Sequence, residues 1–145
     1  MMKKDNTDEK IAYLQIVQDT INRMSTASAI FKGFAATIVA GLSVISYSQI
    51  SRWVLVMSFI PVLSFALLDI YYLKIEKKYR KLYDEVRLDS KKVDFSMNIR
   101  NLSKKSQRYK VGTWECIKSP SIILFYPLMI VVLTIVSLLK INHVI

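Results

Sequence analysis

An aspartate and a lysine stand where so apolar a sequence should carry no charge. Asp69 lies about one turn before the end of an apolar run at 53–73, and Lys32 lies just inside another at 30–47. An acid within such a run is costly unless it is paired or hydrated. If the two runs form an antiparallel hairpin, Lys32 and Asp69 fall at similar depth, and an ion pair between them is expected. The plainer consequence is a pair that fixes the hairpin's register while both groups reach toward polar surroundings. The sharper one is an aspartate that lines an aqueous path or a gate.

Other chemistry is sparse. The single histidine, His143, is two residues from the C-terminus, and the single cysteine, Cys116, excludes an internal disulfide. By the topology derived below they lie on opposite sides of the membrane and form no dyad. Three glycines, Gly33, Gly41 and Gly112, are too scattered to cradle a phosphate, and no zinc-protease, phosphate-loop, dinucleotide or nucleophile-elbow motif occurs. The sequence therefore predicts no catalytic residue, no metal ligand and no cofactor; it does not read as an enzyme.

What must position Lys32 and Asp69 is a set of membrane helices. Over half of the 145 residues are hydrophobic, yet the formal net charge is +10. The two properties are segregated: 30–47, 53–73 and 122–139 are nearly free of charge, and the stretches between are crowded with it. Each run is long enough to cross a hydrocarbon core of roughly 30 Å at about 1.5 Å per residue. The expected fold is all-α: a polytopic membrane protein with three transmembrane helices, an amphipathic N-terminal helix and a long cytoplasmic extension of the second span. Its parts are a cytoplasmic helix at 1–29, a hairpin at 30–73, a basic segment at 74–119 that is helical to about 88, a third span at 120–140 and an external tail at 141–145. No apolar stretch precedes the first span, so no cleavable signal peptide is expected.

Orientation follows from the basic residues. Five Lys and Arg lie up to Lys32, Arg52 alone lies in the turn between the first two spans, fourteen lie in 74–118 against six acids, and Lys140 follows the third span. The positive-inside rule then puts the N-terminus and the long loop in the cytoplasm and the C-terminus outside. Tyr47 and Trp53 flank the outer turn, while Tyr71, Tyr72 and Tyr126 lie toward the inner boundary.

Within this frame, Leu14, Val17, Ile21 and Met24 recur at helical spacing and predict an amphipathic helix over 8–24, with Asn6, Thr7 or Asp8 as its cap. Its near-zero net charge favours packing on protein over an electrostatic lipid anchor. Gly33, Thr37 and Gly41 form a small-residue face that admits close helix approach, with the second span the nearer partner and an oligomer interface the alternative. Pro61 and Pro127 predict kinks in spans two and three. Beyond the membrane, Tyr72, Ile75, Tyr79, Leu82 and Val86 make a heptad-like stripe, with Glu76, Arg80, Asp84, Glu85 and other charged residues on the remaining faces. The stripe must bury against something, and the N-terminal helix is the nearest choice. Val93 to Ile99 alternates with the period of a short strand. Ser119 and Pro120 are a helix-start signal for the third span.

The basic segment allows three partners: anionic membrane lipid, an anionic ligand, or an acidic cytoplasmic protein. No specific nucleic-acid partner is predicted. The run Phe65-Ala66-Leu67-Leu68-Asp69-Ile70-Tyr71-Tyr72-Leu73, the run from Tyr79 to Arg87 and Asp94-Phe95-Ser96-Met97 resemble a family of small bacterial three-span membrane proteins. Gln15 to Met24, Phe31-Lys32-Gly33 and Leu124-Phe125-Tyr126 fit the same likeness. In build, such proteins resemble membrane effectors of anti-phage defence systems. That resemblance implies a homo-oligomer in the bacterial inner membrane, pore-forming or membrane-disrupting, gated through its cytoplasmic segment. The alternative is a non-conducting scaffold or accessory subunit that recruits a cytoplasmic partner.

Overall fold

The computed structural model describes residues 2–45, 52–88, 93–99 and 111–141, and among them it is helical without a strand. The described residues form five helices in chain order: α1 (Met2–Ile45), α2 (Arg52–Met57), α3 (Phe59–Arg87), α4 (Thr113–Ile117) and α5 (Pro120–Ile141). Two of them are long and apolar enough to cross a membrane, over Thr7–Val44 and Pro120–Leu139. Only 17% of the apolar window in each is buried by the rest of the protein. A soluble core helix of that composition would be covered on all sides, so the architecture is compatible with a membrane protein.

The hairpin differs from the sequence reading in two ways. The expected boundary between an N-terminal helix and a first span does not exist: α1 runs unbroken for 44 residues, about 66 Å at the usual rise. Ser25 to Ala29 contains no Gly or Pro to stop it, and Asn6, Thr7 and Asp8 lie inside the helix rather than at its cap. The second apolar run is not one kinked helix. It breaks at Ser58, which separates α2 from α3. Pro61 is the cause, because its ring opposes the carbonyl four residues back, at Met57, and it brings no N–H. The chain resolves this by restarting, so that Pro61 falls in the first turn of α3, where a missing N–H costs nothing. This break leaves no single helix of spanning length and composition between 52 and 88. Pro127, by contrast, lies inside α5, which continues through it.

α3 reaches Arg87, about 43 Å from its start, and is capped at Leu88, whose N–H bonds to the Asp84 carbonyl at 3.0 Å. It packs antiparallel to α1, and the pair carries two separate apolar cores. One joins Ala35 and Val39 of α1, Val62 of α3, and Ile122, Tyr126 and Leu133 of α5. The other joins Tyr13, Val17 and Ile21 of α1 to Leu82 and Val86 of α3, with Val93, Met97 and Ile99 laid over them. The segment 93–99 is irregular rather than a strand, and Phe95 in it takes a positive φ of 51°. It is held by side chains instead: the Tyr13 hydroxyl donates to the Ser96 carbonyl, and the rings of Tyr13 and Phe95 lie 5.5 Å apart.

Candidate functional site

Between the two cores, on the same helix pair, is a buried polar cluster. Ser28 and Lys32 are four residues apart and so share one face of α1. Opposite them α3 presents Asp69, which is completely buried. Lys32 Nζ lies 2.6 Å from Asp69 Oδ2 and donates to Ser28 Oγ at 2.7 Å, while Ser28 Oγ donates to Asp69 Oδ1. The third helix closes the cluster: the Tyr126 hydroxyl on α5 donates to the Phe65 carbonyl at 3.2 Å and sits beside the Asp69 carboxylate. Aromatic rings insulate one flank, with Phe31 against Phe65 at 6.2 Å and against Tyr72 at 5.3 Å.

A serine between a lysine and an aspartate invites comparison with nucleophile–base sets. Here Lys32 Nζ and Ser28 Oγ both turn to the Asp69 carboxylate, Nζ to Oδ2 and Oγ to Oδ1. The serine proton is already committed to the carboxylate. The arrangement is a charge lock that ties α1 to α3, with α5 resting on it. Among the described residues no group of three or more His, Cys, Asp or Glu could hold a metal ion.

The sequence brings Lys32 and Asp69 together but does not join Ser28 or Tyr126 to them. The position of Ser28 one turn before Lys32 is the only signal for it, and Tyr126 is marked only as an aromatic residue toward the inner boundary. The small-residue face also lies differently from the expectation that it packs on the second span. A Cβ added at Gly33 or at Gly41 would meet nothing within 4 Å. Ala35 and Val39 pack into the core with α3, and Phe31, Lys32 and Phe34 also reach that helix, whereas Gly33, Thr37 and Gly41 are exposed among the described residues. Thr37 Oγ1 donates to the Gly33 carbonyl at 2.9 Å, which satisfies the hydroxyl within its own helix and leaves the face smooth.

The stripe on α3 is divided. Leu82 and Val86 are fully buried, Tyr79 packs against the same core, the Tyr72 ring lies tilted against Phe31, and Ile75 is half-buried. Glu76 and Glu85, read as surface residues, are instead buried, Glu76 with its carboxylate 2.8 Å from Arg80. The stripe on α3 is therefore wider than a heptad seam. On α1 the unanticipated core residue is Tyr13, fully buried, while Leu14 packs half-buried against the same core. Lys74 and Lys77 reach α4, bonding at 3.0 Å to Thr113 Oγ1 and to the Glu115 carbonyl. Cys116 is buried there, and burial pushes its thiol up despite the opposing pull of Lys77 and Lys74. Such a thiol is a packing residue rather than a nucleophile. Tyr47, His143 and the basic stretch 104–110 lie outside the described residues.

Compared with protein-family models, curated proteins and solved structures, the chain matches none of them.

Proposed function

We propose that the protein is a self-associating membrane effector that opens a pore or otherwise perturbs the bilayer. In this reading the upper part of α1, the broken helix from Arg52 to about Leu73 and α5 make three spans in a bacterial inner membrane. The N-terminus and the basic segment 74–119 face the cytoplasm and the C-terminus faces outward, as the distribution of Lys and Arg requires. The defence setting rests on the resemblance in build alone.

One observation carries the proposal. Among the described residues the face of Gly33, Thr37 and Gly41 is exposed, and a Cβ added at either glycine would meet nothing within 4 Å. In a bilayer, small-residue faces are where helices approach each other, since lipid gains nothing from them. A second copy of the same face is the occupant that fits without further assumption. The Lys32–Asp69 lock supports the gating part, because it joins the cytoplasmic core to the spans through the same two helices. The test is membrane potential in cells that express the full chain. Depolarisation is expected, and Gly41→Leu or Asp69→Leu should abolish it. An unchanged potential with the wild-type chain would refute the pore-forming reading.

The scaffold alternative has one observation of its own. Ile11 and Ile16 stay about half exposed on the cytoplasmic part of α1, beside a core that is otherwise closed. A chain that co-purifies with another protein in fixed ratio while leaving the potential intact would be such a scaffold.

A further inference from the structure

Lys32 has a second neighbourhood. Besides its pair with Asp69 it lines an open cleft of about 410 Å³ whose other walls are Pro120, Ser121, Leu124, Phe125 and Leu128. The walls come from the first two turns of α5 and the cleft is almost wholly apolar, with the lysine at its α1 side. An ammonium has three N–H donors, and those of Lys32 are shared with only two acceptors in the lock. Leu124 and Leu128 are exposed, so the cleft opens sideways, toward whatever surrounds the spans.

The position along the chain gives the depth. The cleft lies where α5 begins, immediately after Lys118 and Ser119, and α4 just before it carries Trp114, which is 73% exposed. A bare tryptophan beside lysines at the end of a span is the composition of the headgroup level. A groove of this kind offers one cationic donor at that level and an apolar wall that runs away from it along α5. The amphiphile that matches both is a phospholipid with an anionic headgroup, its phosphate on Lys32 and the start of one acyl chain along Leu124 and Leu128. Lys118 and the positive end of the α5 dipole add to the same charge preference. We propose that this cleft binds an anionic phospholipid of the inner leaflet. The assignment rests on the membrane reading above and deepens it, because the ligand would hold the same lysine that locks Asp69.

Lipid retention on the purified full-length protein tests this. Phosphatidylglycerol and phosphatidylcholine are titrated separately into the protein in mild detergent, and bound lipid is counted by native mass spectrometry. Phosphatidylglycerol should be retained about fivefold better, the factor expected from one lysine near an anionic headgroup. Lys32→Gln should lower it to the level of phosphatidylcholine. Because that variant also strips Asp69 of its partner, Leu128→Trp is the second probe: it fills the cleft, leaves the lock in place and should reduce retention of both lipids. Arg23→Gln, exposed and remote on α1, should change nothing. Equal retention of the two lipids by the wild type, or undiminished phosphatidylglycerol on Leu128→Trp, overturns the assignment. Alkaline carbonate separates the two readings: a chain washed off membranes refutes the membrane reading, whereas a chain that stays embedded without lipid preference refutes only the cleft.

Discussion

α1 and α3 build one core at each end of their contact, and the two cores are finished to different degrees. The lower one, around Tyr13, Val17, Leu82 and Val86, is completed by the chain itself: 93–99 folds over it, and Tyr13 donates its hydroxyl to that segment. The upper one, around Ala35, Val39, Val62 and Leu133, leaves Val44, Leu67, Leu124 and Leu128 standing exposed around it. In water the exposed set would be an association surface of unusual size. In lipid it needs no cover, and only the small-residue face then calls for a protein partner. On the proposed membrane reading, the same helix pair follows two rules set by two solvents, with the Lys32–Asp69 lock where one gives way to the other.

The comparison breaks most severely at the lock. Lys32→Met leaves Asp69 buried without its counter-charge and should cost about 3–5 kcal/mol, read as a fall in thermal stability in detergent. The double variant Lys32→Met/Asp69→Leu should recover most of that, since apolar replacement of a buried pair is tolerated. Recovery of stability without recovery of depolarising activity would assign the pair to function; recovery of both would make it a device for register. Next, Leu82→Ala should cost roughly 2–5 kcal/mol through the cavity it leaves. The loss should be local, with hydrogen exchange accelerated in 10–21 and 79–87 and unchanged around Val62 and Leu133.

A smaller effect distinguishes the cores by pH. Burial, with the charge of Asp94 second, pushes the Tyr13 phenol above its ordinary 10.0. A raised value means that the folded state holds the phenolic proton more tightly. This stabilisation is complete below about pH 10 and is lost as pH rises toward the folded value. Exchange protection of the lower core should therefore weaken in strong alkali. Tyr13→Phe should remove that pH dependence while costing about 1 kcal/mol for the missing hydrogen bond to Ser96. The smallest effect on the fold is expected from Gly41→Leu, whose added side chain starts into open space. Monomer stability should be unchanged.

Much of this architecture is legible in the residues. Apolar runs and the distribution of Lys and Arg point to a helical membrane protein, and an acid and a base at matched depth point to each other. What the sequence does not show is rotation and continuity. Heptad spacing identifies Leu82 and Val86 but cannot tell that Glu76 and Glu85 also turn inward, because the face that α1 covers is wider than the seam. Pro61 signals a disturbance, yet whether the helix bends or restarts depends on how Ser58 is accommodated between α2 and α3. The small-residue face is readable as a face, but the choice between the second span and another copy as its partner is not, since the rotation of α1 against α3 is a property of the helix pair and not of either sequence alone. The place of Ser28 and Tyr126 in the lock is not legible, because it is set by helices far apart in sequence.

The central claim is that the open face of α1 is where copies of this chain meet. The most direct measurement is the mass and shape of full-length wild type and Gly41→Leu in nanodiscs, by light scattering and electron microscopy. The account predicts a closed oligomer for the wild type and a folded monomer for the variant, with equal thermal stability. A monomeric wild type, or a Gly41→Leu chain that assembles as the wild type does, would contradict it.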